Sequence, residues 1–150
     1  MNATVTRRRW LAASAIVSLS ALGLAAARPA LGQAAPAKQK VVFQVSDADP
    51  QKWNLALNNA YNVGLEFGED GVEMEIVAYG PGIALLKAGS PIAARVTEAL
   101  KRGVKVVACE NTMKAQKLVY ADMLPDIGFV PSGVVELMKR QREGYAYIRP

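Results

Sequence analysis

Histidine is absent from the 150 residues, and cysteine occurs once, at Cys109. Without histidine there is no Ser-His-Asp or Cys-His catalysis, and most catalytic zinc sites are excluded too. A single cysteine closes no intrachain disulfide and builds no cysteine-based metal cluster. No metal and no cofactor is expected. The sequence also lacks internal repeats, low-complexity tracts and a second domain. Its excess of positive charge is confined to one end. The full count is 18 basic and 13 acidic residues, net +5, but Arg7, Arg8, Arg9 and Arg28 all lie within residues 1–34, where no acidic residue occurs. Taking those four from 18 leaves 14 basic against 13 acidic, net +1 for the remainder. The basicity is no argument for nucleic-acid binding.

What is present begins with that N-terminal stretch. "TRRRWLAASAIVSLSALGLAAARPALGQA" has a basic start, an apolar middle and a small-residue end, the layout of a secretory signal. Thr6-Arg7-Arg8-Arg9-Trp10-Leu11 follows the twin-arginine order. Gly32-Gln33-Ala34 ends on small residues and sets the expected cleavage after Ala34. The reading is a twin-arginine signal peptide over 1–34, a short leader over 35–39 and one α/β domain over 40–150, exported to the periplasm, with no stable membrane insertion after cleavage. The alternative is an uncleaved anchor. The 18 residues between Arg9 and Arg28 approach the lower limit of roughly 17 for a span, but they are rich in Ala, Ser and Gly.

Over half of the residues are hydrophobic, enough for a core. "KVVFQVSD" (40–47) reads as a buried β-branched strand. Pro50 opens a helix, with Asp47 or Asp49 as its cap, and Trp53, Leu57, Ala60, Gly64 and Phe67 recur at helical spacing as an inner face. "VEMEIVAYG" (72–80) is a second strand. Residues 80–91 form a loop with room for one helical turn. Ser90-Pro91 starts the second helix, with the hydroxyl as cap and Gly103 as the stop. "VKVVAC" (104–109) is the third strand. "NTMKAQKLVYADML" (111–124) is the third helix, capped by Asn111 or Thr112. A short strand (126–131), a helix from Ser132-Gly133 to Gly144 and the strand "YAYIRP" (145–150) follow. This β-α alternation predicts a mainly parallel five-stranded sheet covered by helices on both faces.

Ligands of such sheets sit beyond the carboxyl ends of the strands. That edge gathers Ser46, Asp47 and Asp49, then Gly80-Pro81-Gly82, then Cys109 to Thr112, then Ser132 and Gly133. Cys109 lies at a strand end before a helix N-terminus, where unpaired N–H groups favour a thiolate. Glu110 opposes this and Lys114 supports it. The other reading of Cys109 is a small buried hydrophobe. The Gly80–Gly82 loop is either an anion cradle of backbone N–H groups or a turn that needs glycine. Asn54, Asn58 and Asn62, at i, i+4 and i+8, form a stripe suited to solvent or a polar subunit contact. Asp47 and Asp49 alternate in direction and suit a turn and a cap.

"KVVFQVSDADPQKWNLALNNAYN", "VAYGPGIALL", "GVKVVACENTM" and "LPDIGFVPSGVVELMKRQREGYAYIRP" together resemble the DsrE/DsrF-like sulfur-oxidation family over about 40–150. The resemblance implies a three-layer α/β/α fold with five strands and assembly as a homo-oligomer, a trimer or hexamer. It also implies that Cys109 stands where sulfur-relay members carry a persulfide, exchanged with a donor or acceptor protein thiol. The expected site is then Cys109 as the sulfur carrier, with Gly80, Pro81, Gly82, Asn111 and Thr112 around it. The alternative is a binding or scaffold module in which Cys109 is inert.

Overall fold

The computed structural model describes residues 37–150, so the signal, its cleavage point and the anchor alternative lie outside the described residues. Five strands form one sheet: β1 (Gln39–Val45), β2 (Val72–Ala78), β3 (Lys105–Cys109), β4 (Gly128–Val130) and β5 (Ala146–Ile148). Their order is β4-β3-β2-β1-β5, and every pairing is parallel. The helices are α1 (Pro50–Phe67), α2 (Ala93–Lys101), α3 (Glu110–Ala115) and α4 (Gly133–Arg142). Short 3₁₀ segments cover Gly80–Leu86 and Tyr120–Asp122.

The strand order explains the layers. The first three crossovers step one strand at a time in the same direction, and the fourth returns from one sheet edge to the other. Parallel crossovers are right-handed, so the reversal puts α4 on the face opposite α1, α2 and α3. The cores follow this division. Phe43, Ile76, Val106 and Ala108 pack with Trp53, Leu57, Val96 and Met113. On the other face Val42, Val77 and Val107 pack with Leu137 and Tyr145. Each fully buried Phe, Ile or Leu contributes about 1.5–3 kcal/mol, so most of the hydrophobic stabilisation lies on the three-helix face.

The thinner face is held partly by charge. Glu75, fully buried in β2, meets Arg140 of α4 at 2.8 Å. Arg140 also contacts Glu136 at 3.0 Å and Glu143 at 2.8 Å, and its guanidinium lies 5.5 Å from the Tyr145 ring centre. Tyr145 donates its hydroxyl to Glu73 at 2.8 Å. Burial, the Glu73 bond and the Glu73 charge push its phenol up to about 12.

Several sequence expectations change. Asp49 caps α1 by accepting from the Gln51 N–H at 2.8 Å, while Asp47 pairs with Lys52 at 3.2 Å. Phe67 is half exposed rather than inward, because it is the last residue of α1, and Ala56 joins the inner face. The Ser90 hydroxyl caps nothing: the chain turns once more, with the Ala93 N–H donating to the Ser90 carbonyl, before α2 begins. Residues 80–86 form a longer 3₁₀ segment than one turn.

The largest change is α3, which stops at Ala115 instead of running to Leu124. Lys117 adopts φ 56°. The Leu118 N–H bonds to the Met113 carbonyl, and the Lys117 N–H to that of Lys114. This is the Schellman closure, with lysine in the position glycine usually takes. The segment beyond it joins the 3₁₀ region through a Lys87–Met123 antiparallel bridge and a bond from the Leu124 N–H to the Leu86 carbonyl. Met113, Met123 and Leu124 are thereby all buried.

Candidate functional site

The chain leaves β3 toward the face of α3 and leaves β4 toward the face of α4. These two strands are neighbours, with Cys109 opposite Val130 in register. Their carboxyl ends therefore flank the point where the winding reverses, the crevice where open α/β sheets place ligands. Cys109 is the last residue of β3 and the N-cap of α3, and it is 5% exposed.

Burial pushes its thiol up. The Thr112 hydroxyl and the backbone N–H groups of Gly133, Thr112 and Asn111 act against burial, and the net shift is downward. These donors belong to the first turns of two helices, α3 and α4, on opposite faces of the sheet. The nearby charges are occupied elsewhere or face solvent: the Glu110 carboxylate accepts the Tyr120 hydroxyl at 2.5 Å, and Lys114 is exposed. Tyr120 packs edge-on against Phe129 at 4.5 Å, which holds that pair in place.

Asn111 and Thr112 are the first residues after Glu110 in α3, and both present N–H groups to Cys109. The Asn111 N–H also meets the Pro131 carbonyl at 3.2 Å, which ties α3 to the chain entering α4. The Gly80–Gly82 loop reaches the site differently from an anion cradle. The Gly80 N–H donates to the Thr112 hydroxyl oxygen at 2.9 Å, Pro81 has no N–H, and the Gly82 N–H is taken by the Tyr79 carbonyl at 3.1 Å. The Gly80 carbonyl accepts from the Gln116 side chain at 3.1 Å. The loop thus orients Thr112. Its glycines have separate local causes: Gly80 has φ +52°, and a Cβ on Gly82 would stand 2.3 Å from the Val45 carbonyl oxygen.

The sequence places Gly133 at a helix start on the carboxyl-end rim, but not among the expected site residues. Gly133 supplies the N–H that reaches Cys109 from α4. A Cβ there would stand 2.9 Å from the Tyr79 Cβ, so the close approach of α4 to the end of β2 requires glycine. The signal available in the sequence was Ser132-Gly133 after a short strand. Its relation to Cys109 depends on β3 and β4 being neighbours with opposite exits.

The model of the DsrE/DsrF-like family matches residues 39–150. Among solved structures the chain is similar to a protein of unknown function, MTH1491, from Methanobacterium thermoautotrophicum. The two are 34% identical with a TM-score of 0.72, over 75% of this chain and 100% of that one. A conserved protein of unknown function, BT1422, from Bacteroides thetaiotaomicron shares the fold at 12% identity and a TM-score of 0.60, over 75% of this chain and 95% of that one. The ychN protein from E. coli does so at 12% identity and 0.58, over 76% and 99%. No curated protein matches. With five parallel strands, helices on both faces and a family match across almost the whole described domain, the chain belongs to the DsrE/DsrF-like family.

Proposed function

We propose that the protein is a sulfur carrier working through Cys109. The observation that carries this reading is the lowered thiol at the β3–β4 switch point, faced by donors from two helices. The Cys109 thiolate attacks the outer sulfur of a donor persulfide. A sulfur–sulfur bond forms to Cys109 while the donor's own sulfur–sulfur bond breaks, and the donor leaves as a thiolate with the electron pair. An acceptor thiolate then attacks the outer sulfur held on Cys109, and the Cys109 thiolate is released. No net oxidation or reduction occurs. Because a histidine base is absent, the thiol must already be ionised to act, so the N–H and hydroxyl donors take the place of a base.

The reading includes export: the twin-arginine pattern supports a periplasmic carrier, delivered folded, or anchored there if the segment is uncleaved. A homo-oligomer, trimer or hexamer, is part of the proposal. Support comes from Val134, Val135 and Met138, which are about half exposed on α4, the one helix on its face among the described residues.

Incubation with a sulfane-sulfur donor followed by intact-mass measurement is the test. Wild type should gain one sulfur atom and Cys109→Ser none; wild type that gains none sinks the proposal. Its 5% exposure favours a second reading, in which Cys109 is inert packing within a binding module. That reading expects alkylation only after unfolding.

A further inference from the structure

On the three-helix face, at the amino ends of β2 and β3, a cavity of about 270 Å³ opens between α1 and α2. Leu57, Ala60, Gly64, Met74 and Val104 form its apolar floor. Gly64 sits inside α1, where glycine weakens a helix. Its backbone does not require glycine, since its φ lies outside the left-handed region, and a Cβ there would make only an ordinary 3.4 Å contact with the Met74 methyl. What the missing side chain provides is the open space.

The rim carries charges in a specific state. Arg95 is gripped by the side-chain carbonyls of Asn54 and Asn58, the latter at 2.6 Å. This is where two members of the asparagine stripe go. Neutral acceptors fix the guanidinium without cancelling its charge. Arg102 lies 4.4 Å from the Tyr61 ring centre and is paired with Glu69 at 3.2 Å. Glu98, one turn from Arg95 on α2, has no cationic partner among the described residues. The mouth therefore presents one uncancelled cation and one uncancelled anion beside an apolar floor.

We propose that this cavity binds a small zwitterion with an apolar tail, in chemical class an apolar α-amino acid. The carboxylate meets Arg95, the ammonium faces Glu98, and the side chain covers the floor beside Gly64. The volume falls just below the roughly 300 Å³ at which drug-sized sites begin, which suits a ligand of amino-acid size. The site lies at the amino ends of the strands, away from Cys109 at the carboxyl end of β3, and is independent of sulfur transfer.

The test titrates the protein with L-leucine, 4-methylpentanoate and 3-methylbutylamine, followed by NMR shifts and calorimetry. Leucine should saturate, and each analogue, missing one charged group, should bind about tenfold more weakly or worse. Arg95→Gln, a surface change, should lose about as much. Gly64→Leu should abolish binding without lowering the melting temperature, and Cys109→Ser should bind as wild type does. Absent saturation by leucine, equal binding of either analogue, or full binding by Arg95→Gln overturns the proposal. So does a dimer that Gly64→Leu dissociates, since a second copy would then fill the cavity.

Discussion

The Thr112 hydroxyl oxygen accepts the Gly80 N–H at 2.9 Å, and the same hydroxyl holds the Cys109 thiol down. One hydroxyl thus links the loop after β2 to the sulfur after β3. The Gly80 bond occupies a lone pair and limits how the hydroxyl can rotate. After burial, which acts the other way, the Thr112 hydroxyl is the largest influence on the thiol, ahead of any single backbone N–H.

Thr112→Val keeps the shape of the side chain and removes this donor. The pH midpoint of native-state Cys109 alkylation should lie below the ordinary cysteine value of about 8.5 in wild type. It should move upward in Thr112→Val and return in Thr112→Ser. An unchanged midpoint in the valine variant would show that the backbone N–H groups suffice. The valine variant also strands the Gly80 N–H, so it should lose about 1–3 kcal/mol of stability in urea titration, largely restored by serine.

Gly133→Ala tests the contribution from the other face. The added Cβ cannot stay 2.9 Å from the Tyr79 Cβ, and both belong to packed elements, so the first turn of α4 must move. Overpacking of this kind costs about 1–3 kcal/mol. The same movement withdraws the Gly133 N–H from Cys109. The alkylation midpoint should therefore rise together with a fall in the urea midpoint. Ser132→Ala one residue earlier serves as control, because its side chain makes no capping bond, and it should change neither. A stable Gly133→Ala with an unaltered thiol would mean that the α4 donor is not needed.

How far the sequence carried this picture depends on the kind of interaction. The strands were legible as short apolar runs between helical segments, and the rim followed from the rule about carboxyl ends. Cys109, Asn111 and Thr112 were legible because they fall within four residues at a strand-helix junction. Gly80 and Gly82 were visible as a glycine loop, but their N–H partners, the Thr112 hydroxyl and the Tyr79 carbonyl, were not. The length of α3 was misread for a related reason. Residues 111–124 contain good helix formers, and only the pairing of Met123 with Lys87, distant in sequence, shows why Lys117 takes a left-handed turn. The buried Glu75 was hidden in the same way. "VEMEIVA" alternates as a half-exposed strand would, and its glutamate is covered only because α4 crosses back over β2.

That glutamate gives the protein a pH signature. Burial, the largest influence, raises the Glu75 carboxyl, and Glu136 adds to this, while Arg140 opposes both without cancelling them. Glu75 Oε1 has no hydrogen-bond partner. A carboxyl whose folded value lies above its unfolded value of about 4.3 holds more protons when folded. Its contribution to stability is then fully present below that unfolded value and is lost as pH rises through the folded one. Glu75→Gln removes this slope while keeping the size of the side chain. Relative to wild type, its urea midpoint should become more favourable between pH 5 and pH 8, and a constant difference would show that the carboxyl is not raised. Arg140→Met should do the reverse. It leaves Glu75 buried without its cation, a loss of about 3–5 kcal/mol at pH 8. Part of that loss should be regained at pH 5, where protonation relieves the charge. Combining the two substitutions should flatten the pH dependence, because the carboxylate that Arg140 compensates is then gone.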